Sequence, residues 1–213
     1  MRYFRKKILE WGADNYKPFP WRTTSNLFHG LVAEIMLQRT RAEQVEPLYR
    51  EFAARFPTPR DALTHPDEVT KLLRPLGLAW RTRLLLRMFE ELDRMGHIPC
   101  DAGALQGLPG VGPYAAAAFI CFHCEKRTVP IDSNIVRLYG RFFGLKTGPE
   151  TRRQKSFIMF ADMITPRKGL RQFSYAVIDH SRAICRPKPL CDRCTLRRRC
   201  CHFRARTAHP DLN

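Results

Sequence analysis

The chain has 213 residues, of which 44 % are hydrophobic, so it is long enough for one or two folded lobes and too apolar for global disorder. It carries 37 lysines and arginines against 20 acidic residues, a formal net charge of +17. A charge this large favours a polyanionic partner, first of all nucleic acid. We find no apolar run of about 18 residues and several charged residues within 1–20, so we expect no membrane span and no signal peptide.

Helical periodicity recurs along the whole chain, whereas no alternating strand pattern exceeds three or four residues. We therefore predict an all-α fold. Apolar residues spaced by three or four predict helices over 4–16, 29–40, 42–56, 66–73, 81–95 and 115–123, from Asp132 to Gly144, and near 150–164 and 169–182.

The helix over 29–40 contains a single carboxylate, Glu34, among apolar residues. If that side chain is buried, its pKa rises and it can donate a proton. A glutamate on the helix surface is the alternative, and composition alone leaves both open. Further along, Gly77 and Leu78 lie in an apolar loop before the basic helix over 81–95, where Gly77 is expected to end a helix in the left-handed conformation.

A proline–glycine turn, Leu108-Pro109-Gly110-Val111-Gly112, separates two predicted helices. Gly110 and Gly112 permit backbone that a side chain would obstruct, and the amides at the start of the next helix suit a phosphate oxygen. An ordinary corner between helices is the alternative. The pattern Asp132-x-Asn134-x-x-Arg137 follows shortly afterwards.

Four cysteines lie close together near the C-terminus, and nine basic residues surround them against one acid, Asp192. The spacing with one Cys-x-x-Cys pair fits a four-iron cluster better than zinc, which usually takes two such pairs. Cys201 competes with its neighbour as the fourth ligand. We interpret Cys100, Cys121 and Cys124 as thiols of the core. The proposed ligands are Cys185, Cys191, Cys194 and Cys200.

Together these motifs resemble the helix-hairpin-helix (HhH-GPD) DNA glycosylases of the endonuclease III superfamily. The resemblance implies two helical lobes with the active-site cleft between them. Residues 23–126 would form a six-helix lobe with the hairpin at about 105–118, and 1–22 with 127–213 the second lobe. It also implies a [4Fe–4S] cluster in the loop 185–200, although the family usually has six residues between the first two cysteines and this chain has five.

The resemblance also implies roles for single residues. Asp132 would act on the sugar and Glu34 on the departing base. Tyr114 occupies the place of the lysine with which some members cleave the strand, so we expect base removal without strand cleavage; a core tyrosine is the alternative. Gln38 and Arg39 would fill the gap left by a flipped base, and Leu78 would enter the base stack. Further DNA contacts are expected from Gly110, Gly112 and Asn134.

The substrate implied is double-stranded DNA with a mismatched or damaged base. Glu34, Tyr114 and Asp132 together are similar to the MIG-type glycosylases, which remove thymine or uracil opposite guanine. MutY-type adenine glycosylases acting on adenine opposite guanine or 8-oxoguanine, and enzymes for another modified base, are the alternatives. A DNA-structure-binding iron–sulfur protein without catalysis and an RNA-binding module remain open. We expect a monomer in a prokaryotic cytoplasm, associated with the nucleoid.

Overall fold

The computed structural model describes residues 1–77 and 79–208, which form α-helices and short 3-10 turns and contain no β-strand. The predicted all-α fold is therefore confirmed. The α-helices of these residues are α1 (Arg2–Asp14), α2 (Leu27–Met36), α3 (Ala42–Arg55), α4 (Pro59–Thr64), α5 (Pro66–Leu73), α6 (Ala79–Met95), α7 (Ala102–Gly107), α8 (Pro113–His123), α9 (Ser133–Phe143), α10 (Lys155–Ile164), α11 (Leu170–Ala183) and α12 (Cys201–Ala208).

The chain divides into two compact units. The central unit consists of Lys17–Thr128, and the terminal unit combines Met1–Tyr16 with Val129–Asn213. Among the described helices, none is both long enough and apolar enough to cross a membrane.

Most helix boundaries agree with the periodicity, but α2 ends four residues earlier than predicted, at Met36. Arg39 then adopts a positive φ of 56°, which a continuing α-helix does not allow. Periodicity also missed two short helices, α4 and α12. In α4, Thr58 and Asp61 form a capping box that stabilises its first turn.

Aromatic side chains dominate the core of the central unit. Phe28 of α2 packs against Phe52 of α3 and Phe89 of α6, with ring centroids 5.8 and 5.1 Å apart. Alanines line the buried face of α8, and a Cβ at Gly30 would lie 2.6 Å from the His123 ring. The small residues thus let α2 and α8 approach closely.

Cys100 and Cys124 form a disulfide, so their interpretation as free thiols was wrong. The two residues are 24 positions apart, and their Cα atoms lie 5.8 Å from each other. Cys100 precedes α7 and Cys124 caps α8, so folding brings the two ends of this helix pair together. Sequence spacing carries no sign of that approach. Cys121 is buried and does not take part in a disulfide, as predicted.

In the terminal unit, α1 packs directly on α11. A Cβ at Gly12 would lie 2.4 Å from Cβ of Ala176, so only glycine allows this contact. Phe4 of α1 packs against Tyr139 and Phe142 of α9, with ring centroids 5.6 and 4.9 Å apart. Helix α9 ends at Gly144 in the left-handed conformation, as its position in the sequence predicts. This packing fixes helix α9, whose N-cap is Asp132.

Candidate active site

Asp132 is the N-cap of α9, and both oxygens of its carboxylate are held in place. Oδ1 accepts a hydrogen bond from the Ile135 backbone N–H at 2.8 Å, and Oδ2 accepts one from the Asn134 side-chain amide at 2.7 Å. The Arg182 guanidinium lies 3.8 Å from Oδ2, and 18 % of the Asp132 side chain remains exposed. The result is an oriented carboxylate that a ligand can still reach.

Hydrogen bonds connect Asp132 with the cysteine-rich segment. Asn134 Oδ1 accepts from Arg137 Nη2 at 2.9 Å, while Arg137 Nε donates to the Cys185 carbonyl at 2.8 Å. Arg137 Nη2 also donates to the Ser181 carbonyl at 3.0 Å. Asn134 therefore orients the carboxylate, a role that the sequence did not indicate; its contact with DNA stays a prediction.

The four cysteines predicted as ligands line one cavity, which Arg141 and Leu196 also line. Cys201 does not belong to this lining; it is exposed and faces a different groove. Within residues 1–77 and 79–208, no three His, Cys, Asp or Glu side chains are arranged to hold a single metal ion. The thiols that share this cavity are Cys185, Cys191, Cys194 and Cys200.

Arginine side chains organise the start of the cysteine segment. Arg141 donates to the carbonyls of Arg186 at 2.7 Å and Pro187 at 2.9 Å, which holds the loop against α9. Burial raises the pKa of the Cys185 thiol, and the hydrogen bond from Arg141 opposes that effect. Burial also raises the pKa of Cys194, to about 11. These thiols occupy an apolar environment in which a thiolate needs a cationic partner.

The hairpin between α7 and α8 uses its two glycines differently. Gly110 has a φ of +81°, which favours glycine, and a Cβ there would lie 3.3 Å from Leu84. Gly112 caps α8 with a φ of −82°, and a Cβ there would meet no atom within 4 Å. Conformation therefore requires glycine at 110, whereas at 112 its absent side chain leaves open space beside the first turn of α8. Tyr114 lies in that turn, half-buried.

Glu34 lies in the middle of α2 and is only 6 % exposed, so the buried alternative of the sequence analysis is confirmed. The Nε2 atom of His123 lies 4.0 Å from Glu34 Oε1, and the His123 side chain is itself 1 % exposed. The pair is enclosed by α2 and α8, and Gly30 provides the space for the imidazole. A carboxyl group in this apolar environment can exchange a proton with a basic nitrogen atom that lies close to it.

The segment after α2 contacts the hairpin. The Gln38 amide donates to the Gly110 carbonyl at 3.0 Å, and Arg39 projects as an exposed side chain. Arg81 is 2 % exposed and donates to the Met36 carbonyl at 3.1 Å and to Thr40 Oγ1 at 2.9 Å. Arg81 is buried although it belongs to the basic helix α6, because three acceptors converge where α2 ends: the Met36 and Gln38 carbonyls and Thr40 Oγ1.

Leu78, predicted to enter the base stack, lies outside the described residues. Gly77 has the expected positive φ of 69°, but its ψ of 178° is not left-handed helical, because it follows a 3-10 turn.

Sequence reasoning overlooked several residues that support the site, above all His123, Arg81 and Arg182. A histidine at the end of an apolar helix and an arginine in a basic helix carry no local signal of a partner 40 to 90 residues away. Arg182 belongs to the basic segment, but its approach to Asp132 depends on the packing of α9 against α11.

Comparisons with known proteins agree with this geometry. The family model described as "HhH-GPD superfamily base excision DNA repair protein" matches residues 32–158. A thymine/uracil-DNA glycosylase from Pyrobaculum aerophilum is 37 % identical over 211 residues, covering 94 % of this chain and 91 % of the relative. An adenine DNA glycosylase from Rattus norvegicus is 30 % identical, covering 92 % of this chain and 41 % of the relative.

Among solved structures, a thermostable thymine-DNA glycosylase superposes with a TM-score of 0.86 at 30 % identity, covering 96 % of each chain. The similarity therefore extends over both units and includes the cysteine-rich segment.

Proposed function

The chain belongs to the HhH-GPD superfamily of base excision DNA repair proteins, and on this premise we propose that it is a DNA glycosylase that removes thymine or uracil opposite guanine. The observation that carries the proposal is the oriented, partly exposed carboxylate of Asp132. Similarity over nearly the whole chain to a thymine/uracil-DNA glycosylase supports this choice of base.

Asp132 acts on the sugar. Breaking an N-glycosidic bond develops positive charge on the deoxyribose, and a fixed carboxylate beside the sugar stabilises that charge. The hydrogen bonds from Ile135 and Asn134 keep the carboxylate in one orientation, so little reorganisation is needed when the charge appears. Water then completes hydrolysis and leaves an abasic site.

Glu34 acts on the base, because a pyrimidine leaves more readily when its oxygen or nitrogen is protonated or hydrogen-bonded. Its burial in α2 beside His123 supports this role. Tyr114 stacks on or hydrogen-bonds the flipped base. A phenol cannot form a Schiff base as an amine does, so this position supplies no strand cleavage.

Double-stranded DNA is the partner, and the enzyme acts as a monomer, in a prokaryotic cell at the nucleoid. The hairpin glycines Gly110 and Gly112 approach the phosphate backbone, and the open space at Gly112 supports that contact. Gln38 and Arg39 fill the gap left by the flipped base; the tether from Gln38 to the hairpin supports their placement.

A [4Fe–4S] cluster held by Cys185, Cys191, Cys194 and Cys200 is the cofactor that we propose. Four thiols that line one cavity and include a single Cys-x-x-Cys pair fit a four-iron cluster better than one zinc ion. The cluster supplies structural order to the loop, since glycosidic hydrolysis needs no electron transfer.

A panel of labelled duplexes tests the function. We expect removal of T or U opposite G, with strand breaks only after alkali. Asp132→Asn should keep DNA binding, because asparagine is an equally good N-cap. Its turnover should fall at least about 1000-fold, because the variant lacks the negative charge that stabilises the sugar cation. Strand cleavage without alkali, or near-normal turnover of Asp132→Asn, would contradict the mechanism. Removal of adenine alone would establish the second candidate, which the 30 % identity to an adenine DNA glycosylase supports.

A further inference from the structure

A groove of about 660 Å³ opens on the terminal unit, bounded by α9, the turn around Gly148 and α12. Its walls contain three arginines and one histidine, and no aspartate or glutamate. The arginines are Arg137, Arg141 and Arg152, and the histidine is His202.

The charge of this groove is only partly compensated. Arg141 donates to main-chain carbonyls, which carry no formal charge, and Arg137 reaches the nearest carboxylate, Asp132, only through Asn134. Arg152 is exposed in the 3-10 turn Thr151–Arg153. A concave surface with several positive charges and no acid favours an anionic ligand.

The groove is open to solvent rather than a closed pocket. Gly148 lies in its lining, and a Cβ at this position would project into open space, with no atom within 4 Å. Ser133, which is exposed and directly follows Asp132, also lines the groove. The lining of the groove therefore includes the residue next to the carboxylate to which we assign the sugar.

We propose that this groove binds a backbone phosphate of the DNA strand whose nucleotide is presented to Asp132. The proposal rests on the proposed function, since the strand that brings its sugar to Asp132 continues past Ser133. Phosphates recur along a strand at intervals short enough that a neighbouring one reaches the groove, where Arg152 supplies the most accessible charge.

Two adjacent arginines provide a matched test. Arg152 lines the groove, whereas Arg153, in the same 3-10 turn, does not and pairs with Glu150 at 2.7 Å. Binding is measured by fluorescence anisotropy on a G·T duplex whose thymidine carries a 2′-fluorine that resists cleavage. We expect Arg152→Ala to weaken affinity about five- to tenfold and to reduce the salt slope by about one, and Arg153→Ala to change affinity by less than about twofold.

A second pair of variants blocks the groove without changing its charge. Gly148→Phe should weaken DNA binding about as much as Arg152→Ala, whereas Gly148→Ala should not, because its Cβ meets open space. Replacing single phosphates near the target by neutral methylphosphonates should weaken the wild-type protein at one position. The same methylphosphonate should not weaken DNA binding by Arg152→Ala any further, because both changes remove the same contact.

Equal effects of Arg152→Ala and Arg153→Ala, or no effect of Gly148→Phe, would overturn the groove proposal even if the wild-type protein removes bases. Tight binding of inorganic phosphate or thymidine monophosphate that depends on Arg152 and leaves DNA affinity unchanged would also overturn it, in favour of a small anion. Failure of the wild-type protein to remove any base, with Arg152-dependent DNA binding intact, would instead refute the proposed glycosylase.

Discussion

At the scale of single residues, Asp132 combines two roles that use different parts of its side chain. Oδ1 caps α9 and so stabilises the helix, by about 1 kcal/mol for such a contact. Oδ2 faces Asn134 and Arg182, and 18 % of the side chain remains exposed. Because the carboxylate to which we assign the sugar also caps the helix, its orientation follows from the position of α9.

Arg137 is a positioning residue, since it touches neither Asp132 nor a reacting atom but holds Asn134. Arg137→Lys cannot reach both Asn134 and the Cys185 carbonyl, because lysine lacks the planar fork. We expect kcat to fall about 10- to 100-fold, as for residues that orient a catalytic group, with DNA affinity changed less than about threefold. Single-turnover kinetics at saturating DNA measures the rate, and fluorescence anisotropy measures the DNA affinity.

Asn134→Ala interrupts the same connection and supplies the control for this prediction. The double variant should be no slower than the worse single variant, because both changes break one chain of hydrogen bonds. Additive losses would mean that Arg137 acts through something other than Asn134.

At the scale of elements, the cysteine segment is the clearest case in which the structure separates neighbouring residues. Cys200 lines the cavity with the other three thiols, and its Sγ lies 3.5 Å from the Arg141 carbonyl. Cys201 begins α12 and packs against Gly144, where a Cβ would lie 3.3 Å from its sulfur. Sequence spacing alone left both cysteines as candidates for the fourth ligand.

Replacing each of these two cysteines tests the cluster. Purified wild-type protein should contain about four iron and four sulfide ions per chain and absorb near about 400 nm. Cys200→Ala should lose most of the iron and the absorbance, whereas Cys201→Ala should keep both. One zinc per chain, or equal losses from the two variants, would contradict the proposed ligand set.

At the scale of the whole molecule, a net charge of +17 disfavours compactness through self-repulsion, so cross-links gain importance. The disulfide between Cys100 and Cys124 encloses α7, the hairpin and α8. By restricting the unfolded chain it stabilises the segment to which we assign the grip on DNA.

Removing this cross-link should lower thermal stability. Closing a loop of 24 residues contributes about 3 kcal/mol to the free energy of unfolding, which corresponds to a Tm decrease of about 6 to 12 °C for a chain of this size. Scanning calorimetry of Cys100→Ser and of Cys124→Ser should give similar decreases. The double variant should be no less stable than the single ones; an unchanged Tm in all three would mean that the bond contributes little.

The sequence by itself determined the all-α class, most helix boundaries and the identity of the motifs, because periodicity, proline, glycine and capping residues act over a few positions. It left open whether Glu34 is buried or on the helix surface, and the packing of α2 in the folded chain decided for burial. The end of α2 at Met36 was not predictable, since it depends on Arg81, which reaches that point from another helix.

Only the tertiary structure decided which distant groups meet. It paired Glu34 with His123, joined Cys100 to Cys124, brought Arg182 to Asp132 and separated Cys201 from the other thiols. Each of these contacts depends on how helices pack. Small residues such as Gly12 and Gly30 allow helices to approach closely, but their presence in the sequence does not show which helices meet. Local sequence patterns specify helices, whereas contacts between helices depend on the joint packing of many side chains far apart in the chain.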